Sequence, residues 1–398
     1  MGGRPNARGL DTRALATLSS GHLATDFASG SVPALLPFLV DEFDLSYTAA
    51  GAVMLVWAVA SSVVQPLFGL WSDRRGAIWL LPGGLVLAGV GIGLAPVAPS
   101  YWLLLVAVAV SGLGVAAYHP EGSKFAAYAS GDRRASGMSL FSIGGNVGFA
   151  LGPLAATAVV VTLGLGGGLL LALPPLAAAA ALVLLTPFLL SFDPGRSGPA
   201  RRREGQDRPR ALALLLAVVG FRSLAWFGLI SFVPLYEVAQ GHSEAYGNRL
   251  LALMLLAGGV GTLAAGPAAD RIGRRPVLVG SVAATGPLVA VYLLAGEAVG
   301  AVALALVGVC VIGTFGVTMV MSQEYLPSRI GLASGLSIGL SIGLGGVAAV
   351  ALGALADRID LDRALWICAA APLVALALGL RLPSSRAGQR IEPELVVP

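Results

Sequence analysis

Charged residues are scarce in this chain. Asp, Glu, Lys and Arg make up 12% of its 398 residues, about half the usual share of a soluble domain. Hydrophobic residues reach 56% before any of the 54 glycines is counted. A water-soluble globule of this composition could not cover its surface with polar groups. Cysteine is nearly absent. Cys310 and Cys368 both sit in apolar runs, which excludes a disulfide scaffold and suggests packing as small hydrophobes. No Gly-X-Y period appears, which excludes collagen, and the apolar content excludes disorder. No basic run is interleaved with aromatics, so the net charge of +4 is no nucleic-acid footprint. There is no G-x-x-x-x-G-K-[ST] loop, which argues against a pump driven by ATP.

What the chain has instead is long apolar runs. A membrane-crossing helix needs about 20 apolar residues. Twelve such runs can be read, over residues 14–40, 48–71, 76–97, 102–127, 135–162, 167–190, 210–236, 247–269, 276–296, 300–325, 331–355 and 364–382. They predict an all-α polytopic membrane protein with twelve transmembrane helices. The first run is not a cleavable signal peptide, since it is too long and holds His22 and Asp26. Residues 191–209, SFDPGRSGPARRREGQDRP, are polar and rich in Pro, Gly and Arg, and read as a solvated linker. The predicted organisation is a tail (1–13), a six-helix half (14–190), the linker (191–209), a second six-helix half (210–383) and a tail (384–398).

Topology follows from the arginines. With alternating loops and the N-terminus inside, 21 of the 25 basic residues fall on the inner side. Arg249, Arg358 and Arg363 fall outside, and Arg222 lies within a span. Such a bias places the basic loops in the cytoplasm, facing anionic lipid, together with both termini. Tyr101 and Trp102 at one membrane edge, and Trp71 and Trp79 at the other, read as interface anchors.

The chain also repeats itself. At an offset of 197 residues, Gly69, Asp73 and Arg74 in GLWSDRRG meet Gly266, Asp270 and Arg271 in GPAADRIG. At an offset of 191, Gly144, Gly148 and Gly152 meet Gly335, Gly339 and Gly343. Two six-span halves related in this way suggest a parallel-repeat transporter. In the G-x-x-x-D-R motif the glycine permits close helix approach. Its aspartate can accept hydrogen bonds from a neighbouring helix N-terminus or an arginine, a contact able to break as the halves rock. The alternative is a charged helix end that only fixes topology. Glycines at every fourth residue share one helical face, so Gly144, Gly148 and Gly152 form a packing motif. Gly152-Pro153 would mark a bend where the halves meet.

Ionisable residues inside a span cost about 2.5–3.5 kcal/mol each on insertion scales, so each needs a reason. His22 and Asp26 lie in the first span, His119 and Glu121 in the fourth, Arg222 in the seventh and Glu324 at the inner end of the tenth. These are the first and fourth spans of each half. His22 and Asp26 are spaced i, i+4 and share a face. A carboxylate beside an imidazole can hold or release a proton near neutral pH, so His22, Asp26, His119 and Glu121 are the proton-coupling candidates. Pro120 between the latter two loosens the helix. Arg222 stays charged and can bind an anion or pair with Asp26. Trp226, one turn from Arg222, Gln65, Asn146 and Glu324 complete the substrate-cavity candidates. Each also has a purely structural reading: a packed histidine, a structural salt bridge, a bond between helices, and for Glu121 a local ion pair with Lys124.

The two halves, the doubled G-x-x-x-D-R motif and the glycine-rich fifth span resemble the major facilitator superfamily. Several local motifs resemble its fosmidomycin resistance family. They are His22 with Asp26, Gln65-Pro66, His119-Pro120-Glu121, Gly144-Gly145-Asn146 and Leu151-Gly152-Pro153. Gln323-Glu324-Tyr325-Leu326-Pro327 with Arg329-Ile330-Gly331 belongs with them. The resemblance covers roughly residues 20–383. It implies twelve helices in two pseudo-symmetric halves and proton-driven drug efflux at the plasma membrane. The expected function is proton-coupled antiport of a small drug-like or anionic molecule by alternating access. The expected partners are that substrate, protons and membrane lipid, with no nucleic acid, no metal, no cofactor beyond the proton, and a monomeric chain. Uptake or metabolite transport on the same fold, and a non-transporting membrane sensor, are the alternatives. A metalloenzyme using His22, Asp26, His119 and Glu121 is disfavoured, because the chain has three histidines and a two-fold repeat serves no evident purpose in one.

Overall fold

The computed structural model describes residues 10–75, 77–131, 133–192, 206–327 and 330–383. Its helices are α1 (Thr12–Phe43), α2 (Tyr47–Ala58), α3 (Gln65–Arg75), α4 (Leu80–Leu94), α5 (Tyr101–Ala129), α6 (Arg134–Gly167) and α7 (Leu173–Leu190). They continue with α8 (Pro209–Ala239), α9 (Glu244–Ile272), α10 (Arg274–Leu294), α11 (Glu297–Gly313), α12 (Phe315–Tyr325), α13 (Ile330–Ile359) and α14 (Leu361–Gly379).

Among the described residues, 11 helical stretches are long and apolar enough to cross a membrane. One of them, Gly137–Leu190, has 54 residues. Straight, it would run about 80 Å, far beyond a hydrocarbon core of about 30 Å. It folds back at Gly164, whose φ of 69° suits glycine. The return brings Phe188 beneath Arg13, 4.9 Å from the ring centroid, near the end where Ser19 donates to the Leu140 carbonyl at 2.9 Å. This stretch therefore makes two crossings. The protein has twelve membrane helices in two pseudo-symmetric halves of six. The second crossing is built from α2 and α3, and the tenth from α11 and α12.

Two crossings are interrupted, the second for an identifiable reason. Pro66 has no N–H for the Ser62 carbonyl, and its ring would clash there. The second crossing therefore passes through a π-helical turn at Val59–Val63 before α3. The tenth breaks at Thr314, with φ −90° and ψ 4°. Helix starts at the end away from the chain termini are capped by Ser46, Ser100 and Ser243, which accept from Ala49, Leu103 and Tyr246 backbone N–H groups.

The outer surface is apolar. Leu184, Leu294, Leu67 and Val260 are 64–79% exposed, an arrangement stable only against lipid. The glycine face of α6 packs on α1. A Cβ on Gly144, Gly148 or Gly152 would fall 2.0–2.6 Å from the Ser19, Leu23 or Phe27 carbonyl oxygen. This is contact within one half, and α6 runs through Pro153 without a break, its one non-helical residue being Gly164.

The halves press together at the end away from the termini. Asp357 on α13 accepts from the Tyr47 and Thr48 backbone N–H groups at 2.8 and 3.0 Å and from the Thr48 hydroxyl at 2.5 Å. Asn248 on α9 donates to the Ala34 carbonyl at 2.9 Å and to Thr157 Oγ1 at 2.8 Å. Toward the termini the halves part. Among the described residues, a Cβ on Gly266 or Gly339 would meet nothing within 4 Å, and one on Gly69 only Pro120 of its own half at 3.7 Å. The close approach expected at Gly69 and Gly266 is thus absent in this conformation, and Asp270 and Arg271 are exposed. The Asp73 and Arg74 side chains lie outside the described residues.

Candidate functional site

A cavity of about 460 Å³ lies between the halves. Its polar wall comes from the first half: His22 and Asp26 on α1, His119 on α5, Asn146 on α6, and Ser61, Ser62 and Gln65 at the widened π turn. Trp57 and Phe149 extend this wall, and Trp226, Phe227, Ile312 and Phe315 form the apolar wall opposite.

At the polar wall, Asp26 sits between two imidazoles. His22 Nε2 lies 3.3 Å from Asp26 Oδ2 and His119 Nε2 lies 3.2 Å from Asp26 Oδ1. The two Nε2 atoms are 3.1 Å apart. Each ring is anchored through its other nitrogen. His22 Nδ1 donates to the Phe141 carbonyl at 2.8 Å and His119 Nδ1 to the Val115 carbonyl at 2.9 Å. Phe141 also stacks on His22, with centroids 4.2 Å apart.

This geometry dictates the protonation chemistry. A backbone carbonyl only accepts, so both Nδ1 atoms carry hydrogen. In neutral rings both Nε2 atoms then present lone pairs, to each other and to a carboxylate. Three acceptors at 3.1–3.3 Å repel unless a proton or a metal cation lies among them. One proton on His119 Nε2 can be shared by Asp26 Oδ1 and His22 Nε2. A second makes both rings imidazolium, each donating to its own carboxylate oxygen. The triad thus has places for one or two protons in a wall open to the cavity. Gly145 on α6 makes this fit possible, since a Cβ there would stand 2.5 Å from His22 Nε2 and 2.6 Å from Asp26 Oδ2.

The other ionisable residues lie elsewhere. Glu121, 1% exposed, points away from the triad: it accepts from the Ser72 hydroxyl and pairs with Lys124 Nζ at 2.7 Å. Lys124 also donates to Ser72, so this network ties α5 to α3, the helix carrying the first G-x-x-x-D-R motif. Glu324 is outside the cavity, paired with Arg274 at 2.6 Å. Arg222 is one side chain behind the cavity wall, with its guanidinium carbon 4.4 Å over the Phe315 ring. Trp226, Gln65 and Asn146 do line the cavity.

Sequence reasoning missed several contributors. Phe141, three residues before Gly144, was not singled out, and Gly145 was named only within Gly144-Gly145-Asn146, without its role beside the triad. Asp357 had a plainer one. Gly353, Asp357 and Arg358 in GALADRID form a third G-x-x-x-D-R sequence, at the opposite end of the molecule from the other two.

Twelve crossing helices in two halves around a central cavity that holds buried polar groups define a membrane transport protein. The sequence comparisons give the family. The model of the Major Facilitator Superfamily matches residues 18–349, and the chain belongs to that family. It is 32% identical over 387 residues to the fosmidomycin resistance protein of Escherichia coli, covering 94% of this chain and 93% of the relative. It is 33% identical over 383 residues to the uncharacterized MFS-type transporter YfnC of Bacillus subtilis, covering 92% and 91%. A bacterial homologue of the human lysosomal transporter Spinster, solved in an inward-facing, unoccupied conformation, superposes with a TM-score of 0.77 at 15% identity over 95% of this chain and 97% of that one.

Proposed function

We propose that this chain is a proton-coupled exporter of a small molecule in the plasma membrane, working as a monomer by alternating access. The observation that carries this reading is the triad of Asp26, His22 and His119, whose three facing acceptors can share a proton and lie in the wall of the cavity between the halves. The similarity to a fosmidomycin resistance protein supports the outward direction and makes fosmidomycin the first substrate to try. The arginine bias of the loops supports cytoplasmic termini. On that assignment the sealed end faces outward and the cavity is open to the cytoplasm.

In this cycle substrate enters from the cytoplasm while the triad gives up a proton to that side. The loaded cavity then turns outward, releases substrate, and the triad takes a proton from the outer medium. Reprotonation ties Asp26 to both imidazoles and favours return. The test is resistance to fosmidomycin in a sensitive host expressing the chain. Wild type should raise the inhibitory concentration, and both a protonophore and Asp26→Asn or His119→Ala should cancel the gain at unchanged protein levels. Full resistance in both variants would refute the assignment.

A further inference from the structure

Arg222 is 1% exposed. Nη1 donates to the Val311 carbonyl at 3.2 Å and to Thr314 Oγ1 at 2.9 Å. Among the described residues, Nε and Nη2 have no partner and no ion pair includes this arginine. An arginine retained for structure normally finds a carboxylate or fills its donors with carbonyls, because a buried unpaired charge is costly. Here the free edge is the Nε–Nη2 edge, two roughly parallel donors that suit the two oxygens of a carboxylate or phosphonate. Asp26 does not supply them, since both of its oxygens face imidazoles on the other wall.

Phe315 lies between this guanidinium and the cavity. One face of the ring covers Arg222, and the residue also lines the cavity with Ile312, Gly316 and Trp226. Phe315 stands at the break in the tenth crossing, directly after Thr314 with its non-helical ψ of 4°. Beside it Gly316 is exposed, and among the described residues a Cβ there would meet nothing within 4 Å. The ring therefore sits at a break in the crossing, with an open position next to it in the chain.

We propose that Phe315 is a lid over Arg222, and that the transported molecule is an organic anion with an apolar or aromatic body. Its oxyanion pairs with Nε and Nη2 once the ring swings aside, while its body lies against Trp57, Phe149 and Phe227. This rests on the export reading above and assigns its substrate class.

The test uses the purified full-length chain in detergent, with tryptophan fluorescence titrated by benzylphosphonate, benzoate, benzyl alcohol and benzylamine. Both anions should bind at least about tenfold more tightly than the alcohol or the amine, a difference of about 1.4 kcal/mol. Preference for one anion over the other separates phosphonate from carboxylate recognition. Arg222→Gln should bring the anions to the level of benzyl alcohol, and Arg222→Lys should keep part of the preference. Phe315→Ala, which leaves the charge in place, should tighten anion binding, and by more than any change in the binding of benzyl alcohol. Equal binding of anion and alcohol by wild type, no anion binding at millimolar concentration, or a preference that survives Arg222→Gln overturns the proposal. Unchanged anion affinity in Phe315→Ala overturns the lid. These equilibria need no gradient, so a failure of proton coupling leaves them standing, and their failure leaves proton coupling standing.

Discussion

A methyl group on Gly145 has nowhere to go. It would meet the His22 ring at 2.5 Å and Asp26 Oδ2 at 2.6 Å, and His22 cannot retreat easily because Phe141 both stacks on it and accepts from its Nδ1. Gly145→Ala is expected to cost about 1–3 kcal/mol of stability, as overpacking does, and to reduce proton-driven export more than substrate binding. Comparing thermal midpoint, binding and flux in one variant checks this. Glu121 gives the opposite expectation. It is paired with Lys124 and Ser72, away from the triad, so Glu121→Gln should loosen α3 from α5 and lower the thermal midpoint while the ratio of protons to substrate stays as in wild type. A changed ratio would bring Glu121 back among the coupling groups. The sequence alone pairs His22 with Asp26, because i, i+4 spacing on a helix is local geometry. It gives no such warrant for His119, which meets them across 97 residues of chain, nor for separating Glu121 from His119 two positions away. Pointing direction on a helix surface follows from what packs there, and for Glu121 that is Ser72 on another helix.

Helix ends carry the contacts that decide which side of the cavity is open. The Gly353–Arg358 segment places Asp357 on the first two N–H groups of α2, where four backbone donors lack partners within the helix and the helix dipole favours a negative charge. This clamp joins the two halves at the sealed end. Its removal should favour the opposite conformation. In a background of Cys310→Ser and Cys368→Ser, Asp357→Ala is expected to raise several-fold the labelling of Met54→Cys by a membrane-impermeant maleimide, since Met54 is now fully buried. Unchanged labelling would mean that other contacts hold this end shut. The repeat of the motif at a fixed offset made the first two copies visible in the sequence. The third escaped because it ends the eleventh crossing at the side poor in arginine. The glycine face of α6 was legible as a packing stripe, but its partner was not. It serves α1 of the same half, where carbonyl oxygens approach too closely for any side chain.

At the scale of the molecule, twelve apolar runs and a one-sided distribution of arginine suffice to read the fold, because lipid demands both. The cavity is less legible. Its position follows from ionisable residues in the first and fourth crossings, yet its apolar wall of Trp226, Phe227 and Phe315 looks like any other core sequence. Arg222 was expected to face the cavity and lies behind that wall instead. The most direct measurement is made in proteoliposomes holding the purified chain and a pH-sensitive dye, with no pH gradient imposed. On the proposed function, fosmidomycin added to the cytoplasmic face should cross the membrane and move protons the opposite way, and Asp26→Asn should abolish the proton movement while retaining substrate exchange. Fosmidomycin flux without opposing proton flux, or proton movement undiminished in Asp26→Asn, would contradict the coupling role of the triad.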